Sequence, residues 1–318
     1  MNAPGWGHQQ HPQPGCVRHP DRPTGLSCAR CGRPACPDCL RPAPVGFHCV
    51  DCVAQDQRGH AQAVTAAGVP QRTAAKTPFA GIPIVTYTLI VLNVLAYVVT
   101  AAQSSSILDN HRGSDFFNRL VLVPGMVANG DVIRLIGSGF LHYGLIHLAV
   151  NMYALYVVGI ACENALGRIR YSAVYLLALL GGSAAVMFGA VNSQTAGASG
   201  AVFGLFGAIL IILLRLKRNA NMIIGVIVLN VIISVTVPGI SWLGHAGGLV
   251  AGSVAVAGII YAPQLMQLIG RKRPTVAHIA QLGFGILAAV LVVEVALIAL
   301  RVVGLREQYG PVLATLHF

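Results

Sequence analysis

Charged side chains are scarce in this chain of 318 residues: 10 Asp and Glu with 21 Lys and Arg make up 10% of it, while 55% of residues are apolar. A soluble domain carries about 25% charged residues, so this chain lacks the polar surface needed to face water on all sides. Its mean hydropathy of +0.69 agrees. The same scarcity excludes extended disorder, coiled coil and collagen, and the length excludes a small disulfide scaffold. The net charge of +11 raises nucleic acid as a partner. The cations, however, sit in an N-terminal arm and in short gaps between apolar runs, which is how membrane topology distributes them, so no nucleic-acid partner is expected. The HExxH motif of a membrane metalloprotease is missing, as is any clear internal repeat of the kind transporters carry. No segment built like a cleavable signal peptide precedes the first apolar run near Ile82. The N-terminus is therefore expected to stay inside, with a bacterial plasma membrane as the expected location.

What is present falls into distinct parts. Residues 1–53 are rich in Cys, His, Pro and Arg, and residues 54–80 read as a flexible linker of Ala, Gln, Gly and Thr. From there on the chain is a series of apolar blocks, and the reading is an all-α polytopic membrane protein. Residues 81–262 hold six spans, near 82–102, 142–161, 171–190, 198–214, 221–237 and 241–261; residues 263–318 hold a cytoplasmic loop, a seventh span near 281–302 and a short tail. The long segment from Gln103 to Leu141 is expected to pack on or partly into the outer leaflet. Arg72 and Lys76, Arg168 and Arg170, Arg215, Lys217 and Arg218, and Arg271, Lys272 and Arg273 occupy alternate gaps. Those gaps are expected to be cytoplasmic, which puts the N-terminus inside and the C-terminus outside.

A polar side chain inside a span is costly, so each one is a functional candidate. The second span opens with His142, His147 and Asn151; at about 100° per residue His147 and Asn151 share a face, and His142 lies far round from both. The fourth opens Gly197-Ala198-Ser199-Gly200, with Ser199 at a helix N-terminus, where unpaired N–H groups favour developing negative charge. Gly200, Gly204 and Gly207 form a stripe that allows close helix approach. In the sixth, His245 shares a face with Gly248 and Gly252. These three spans run in the same direction, so His147, Asn151, Ser199 and His245 are expected to converge in the outer half of the membrane. Ser with His is a nucleophile with its general base, and Asn with a second His suits an oxyanion. Glu163 and Glu294 are both badly placed to orient His245, so the expectation is a dyad.

The motifs HYGLIHLAVN, GASG and GHAGGLVAG together resemble the rhomboid family of intramembrane serine proteases, over about Thr86 to Tyr261. The resemblance implies a six-helix core with one helix added, transmembrane proteins as substrates and the lipid bilayer as the medium. It implies Ser199 as nucleophile, His245 as base, an oxyanion hole from the Ser199 N–H, His147 and Asn151, room for the carbonyl at Gly197, and His142 holding the loop above the site. No cofactor for catalysis is implied. The chain departs from the family pattern at Ile133, where Trp often precedes the loop arginine, and at Phe203, often Tyr. Phe203 can stack under His245 but cannot donate a hydrogen bond. A catalytically silent client-binding relative and, from another class, a transporter are the alternatives.

The N-terminal arm holds a separate pattern. Cys16/His19, Cys28/Cys31, Cys36/Cys39 and Cys49/Cys52 are four pairs with two residues inside each, enough soft ligands for two tetrahedral zinc ions. Disulfides are the competing reading, disfavoured by a reducing inner compartment. The pattern resembles a B-box-like zinc finger, in which alternate pairs cross over; sequential pairing and His48 in place of Cys49 stay open. Such a module suits a protein partner better than catalysis. Cys162 is read as packing, and Glu294 is given no role.

Overall fold

The computed structural model describes residues 13–43, 46–60, 82–268, 270 and 275–313. The chain divides into two compact units.

In the N-terminal unit β1 (Gly15–Cys16) pairs antiparallel with β2 (His19–Pro23), and β3 (Leu40–Pro42) pairs antiparallel with β4 (Phe47–Cys49), which runs into α1 (Val50–His60). So small a unit cannot bury a sizeable apolar core. Its interior is instead Cys16, Cys28, Cys36, Cys39, Cys49 and Cys52 with Ala35 and Leu40. The linker expected over 54–80 is corrected in its first part: residues 54–60 continue α1. Ala54, Gln55, Gln57 and Arg58 are good helix formers with no proline among them, so the helix started at Val50 propagates. Residues 61–80, with Arg72 and Lys76, lie outside the described residues.

In the larger unit the regular elements among the described residues are helices. Its elements are α2 (Ile84–Ser104), α3 (Asp115–Leu120), α4 (Pro124–Ala128), α5 (Arg134–Gly137), α6 (Gly144–Ala154), a π-helical turn at Leu155–Gly159, α7 (Ile160–Leu166), α8 (Arg168–Val186), α9 (Ser199–Arg215), α10 (Asn221–Thr236), α11 (Trp242–Leu268) and α12 (Val276–Leu313). Among the described residues five helical stretches are long and apolar enough to cross a membrane. The exceptions are α9 and α10, with 17 and 16 residues. At 1.5 Å per residue each is about 25 Å long, short of the ~30 Å hydrocarbon layer. The seven expected spans are all helices. The expected ends are too early for α11, which continues through Pro263, and for α12, which reaches Leu313 and absorbs most of the expected tail. The charged gap 271–273 lies outside the described residues.

In α2 the buried residues Thr86, Leu89, Asn93, Tyr97 and Thr100 recur every three or four positions, so one face carrying four polar side chains turns inward. The Val85 and Thr86 amides donate to the Glu163 carboxylate at 3.1 and 2.8 Å. A carboxylate from α7 thus satisfies donors that the first helical turn leaves open.

The segment between α2 and α6 folds back on the bundle. Arg134, 4% exposed, donates to the Asn118 and Val121 carbonyls at 2.6 and 2.8 Å and pairs with Asp131. Val132, Ile133 and Ile136 remain exposed and form an apolar ridge. Leu122 and Thr195 exchange backbone hydrogen bonds, and the Gly197 N–H donates to the Ser138 carbonyl. Those bonds fix the strand-like approach to α9.

At the centre α8, α9 and α11 pack with their backbones in contact. A Cβ at Gly248 would overlap the Gly200 carbonyl, and one at Gly252 would overlap Gly204. The expected stripe on α9 is therefore an interface. Cys162 is buried, as expected for packing. On α12, Arg301 and Arg306 donate to the Met187 and Ala128 carbonyls, bracing α8 and α4. Glu294 is buried, and neither of its carboxylate oxygens has a protein partner among the described residues.

Candidate active site

Ser199 is the first residue of α9, held there by the backbone bonds at Leu122, Thr195 and Gly197. His245 lies in the first turn of α11, and the glycine contacts between the two helices bring its Nε2 to 2.8 Å from Ser199 Oγ. The Phe203 ring, one turn along α9 from Ser199, stacks on the imidazole at 4.1 Å between centroids and 13° between planes. On the opposite nitrogen, Nδ1, stands Ser234 of α10, its Oγ at 2.6 Å.

Both groups open into a cavity of about 850 Å³ whose lining includes His147, Asn151 and Gly197. The Tyr143 N–H donates to His147 Nδ1 at 3.2 Å. In a neutral ring the proton then resides on Nε2, which is free to donate. Gly197 has φ 136°, and a Cβ there would stand 2.9 Å from His147 Cε1 and 3.5 Å from Ser199 Oγ. Glycine leaves that space open. Asn151 donates to the His147 carbonyl at 2.9 Å, one turn back along α6. His147, Asn151, Gly197, Ser199 and His245 are therefore brought together.

His142 lies apart from this group. It is fully buried and absent from the cavity lining, and neither ring nitrogen has a protein partner among the described residues. Its ring meets that of His147 edge-on at 5.1 Å. The polar tie to the loop belongs to Asn110, which bonds the His142 carbonyl, the Gly144 N–H and Thr100 Oγ1. Asn110 and Ser234 escaped the sequence reading. Only the run of polar residues before the second span and a lone serine in the fifth could have signalled them.

In the N-terminal unit, alternate pairs come together. Cys16, His19, Cys36 and Cys39 form one set, Cys28, Cys31, Cys49 and Cys52 the other, with the donor atoms of each within 4.8 Å of one another. Cys49, rather than His48, supplies the ligand. His19 Nδ1 faces the sulfurs of Cys16, Cys36 and Cys39. In the second set the Cys28–Cys52 and Cys31–Cys49 sulfurs are 3.9 and 3.8 Å apart. A tetrahedron with metal–sulfur bonds of about 2.3 Å has edges of about 3.8 Å, so the donors fit. The Cys36 backbone N–H leads the groups that hold the Cys16 thiol down at about 6, while desolvation pushes Cys39 up to about 11. Both sets could hold a metal ion.

Residues 129–262 match the family description Rhomboid domain. The chain is 35% identical over 189 residues to the rhomboid protease GluP of Bacillus subtilis, covering 56% of this chain and 35% of that one. It is 33% identical over 136 residues to RHOMBOID-like protein 4 of Arabidopsis thaliana, covering 41% and 34%. The inactive RHOMBOID-like protein 8 of the same plant is 29% identical over 153 residues, covering 45% and 42%. The chain thus spans between a third and a half of the length of these relatives. With the polytopic helical fold, these matches support the rhomboid family for this chain.

Proposed function

We propose that this protein is an intramembrane serine endopeptidase that hydrolyses peptide bonds in or near transmembrane segments of membrane proteins. The observation that carries the reading is the 2.8 Å approach of His245 Nε2 to Ser199 Oγ beside an open cavity. Ser199 Oγ attacks the substrate carbonyl as His245 takes its proton; His147, Asn151 and the Ser199 N–H stabilise the oxyanion. His245 returns the proton to the leaving amine, and water then releases the acyl-enzyme. A substrate helix has its carbonyls tied in i to i−4 bonds, so it must unwind locally. Cleavage is expected near the outer face, at small side chains close to helix-weakening residues.

Residues 81–262 are the protease core, in a bacterial plasma membrane with the N-terminus inside. Residues 1–53 are a B-box-like module holding two structural zinc ions, one on each four-residue set, and engaging a protein partner. Zinc supplies folding free energy there and takes no part in catalysis.

The test is cleavage of a reporter transmembrane substrate by the full chain in liposomes, comparing the wild type with Ser199→Ala and His245→Ala. Both variants are expected to fold and to fall to background. The competing reading, a rhomboid-like client binder, has an inactive relative behind it. Failure of folded wild type to cut any of a varied substrate set would favour it.

A further inference from the structure

We propose that Ser234 is a positioning residue that sets the tautomer and orientation of the His245 ring, so that the reacting unit is Ser199–His245–Ser234. The inference rests on the reading of Ser199 and His245 as nucleophile and base. Most of α10 is exposed, and its buried residues are Ile223 and Ser234. Ser234 Oγ lies 2.6 Å from His245 Nδ1 and 2.6 Å from the Asn230 carbonyl oxygen. A carbonyl oxygen can only accept, and a hydroxyl has one proton. That proton goes to Asn230, leaving a lone pair of Ser234 Oγ facing Nδ1, which must then carry a hydrogen and donate it.

The consequence appears at the far side of the ring. With the hydrogen on Nδ1, neutral His245 has a bare Nε2, and Nε2 is the atom 2.8 Å from Ser199 Oγ. The hydrogen bonds run in one direction: Ser199 to Nε2, Nδ1 to Ser234, Ser234 to the Asn230 carbonyl. The opposite tautomer would set Ser234 Oγ and the Asn230 oxygen against each other as two acceptors, and it would place a hydrogen where the base must receive one. Stacking on Phe203 fixes the plane of the ring but tolerates a half-turn that exchanges its edges. The Nδ1 bond resists that flip. During reaction the Ser199 proton moves to Nε2 as the Oγ–carbon bond forms, and later passes to the leaving amine. Ser234 keeps its own proton throughout, accepting from Nδ1 in both the neutral and the charged ring. A neutral hydroxyl thus fills the orienting place that a carboxylate takes in a charged triad.

The test uses the full chain in liposomes with a substrate the wild type cuts, and the variants Ser234→Ala, Ser234→Thr and Ser234→Val. Thr and Val share a shape and differ in the hydroxyl. Ser234→Ala and Ser234→Val are expected to lose about 10–100-fold in kcat with KM within about twofold, while Ser234→Thr stays within about threefold of wild type. Acylation of Ser199 by a small fluorophosphonate should follow the same order, since it reads the base without a transmembrane substrate. Where Ser234→Ala fails to fold, the Thr and Val pair decides. Equal activity of Thr and Val variants in an active enzyme, or a loss confined to KM, overturns this inference alone. A wild type that neither cuts nor is labelled at Ser199 overturns the protease reading, and this inference with it.

Discussion

At Gly197 the backbone takes φ 136°, and the position of a Cβ is already crowded by the His147 ring. Gly197→Ala therefore strains the chain and fills the space beside Ser199 at once. Activity is expected to fall about 10²–10³-fold, the loss typical of one oxyanion donor. Backbone strain should lower stability by only about 1–2 kcal/mol. Cleavage kinetics beside a thermal unfolding curve check both, and an active, equally stable variant would contradict the crowding. Much of this site was legible because His147, Asn151, Ser199 and His245 are polar groups in apolar runs and share one depth by topology. Ser234 was not. A serine in a helix ordinarily bonds its own i−4 carbonyl, as Ser234 does with Asn230, and only the approach of α10 to α11 adds His245. Asn110 escaped for a related reason: sequence shows that a histidine stands at the loop, but not that its carbonyl is bonded by an asparagine more than thirty residues earlier.

The glycine seam between α9 and α11 does for the elements what Gly197 does for the residue. Gly248→Val would push against the Gly200 carbonyl and separate the helices that carry Ser199 and His245. Stability is expected to fall by about 1–3 kcal/mol or more, with activity lost in whatever still folds. Gly225→Ala on α10, where a Cβ meets open space, is the matched control and should leave stability within about 0.5 kcal/mol of wild type. Thermal unfolding in detergent compares the two. Hydropathy located the long helices because each is an unbroken apolar run, and it misjudged their ends where helix continues into charge, as α12 does through Arg306 and Glu307. It could not show α3, α4 and α5, since four to six residues hold too few turns for a period to emerge.

Across the whole molecule, the N-terminal unit stands apart in having ligands where a core would be. Metal ligation requires thiolates, and their surroundings hold the Cys16 and Cys28 thiols down at about 6. Protons compete with metal for these sulfurs, so metal is expected to be held at neutral pH and lost on acidification, measurable by native mass spectrometry of the full chain across a pH series. The sets also interleave along the chain. Residues 28 and 31 lie inside the loop that the first set closes, and residues 36 and 39 inside the loop closed by the second. Each ion shortens the loop the other must close, so the first to bind lowers the ordering entropy left for the second. Loading should be cooperative, with the form that holds a single ion scarce at half saturation. Chemical damage to one thiol, by oxidation or alkylation, would then be felt at both ions, and the unit would fail as a whole.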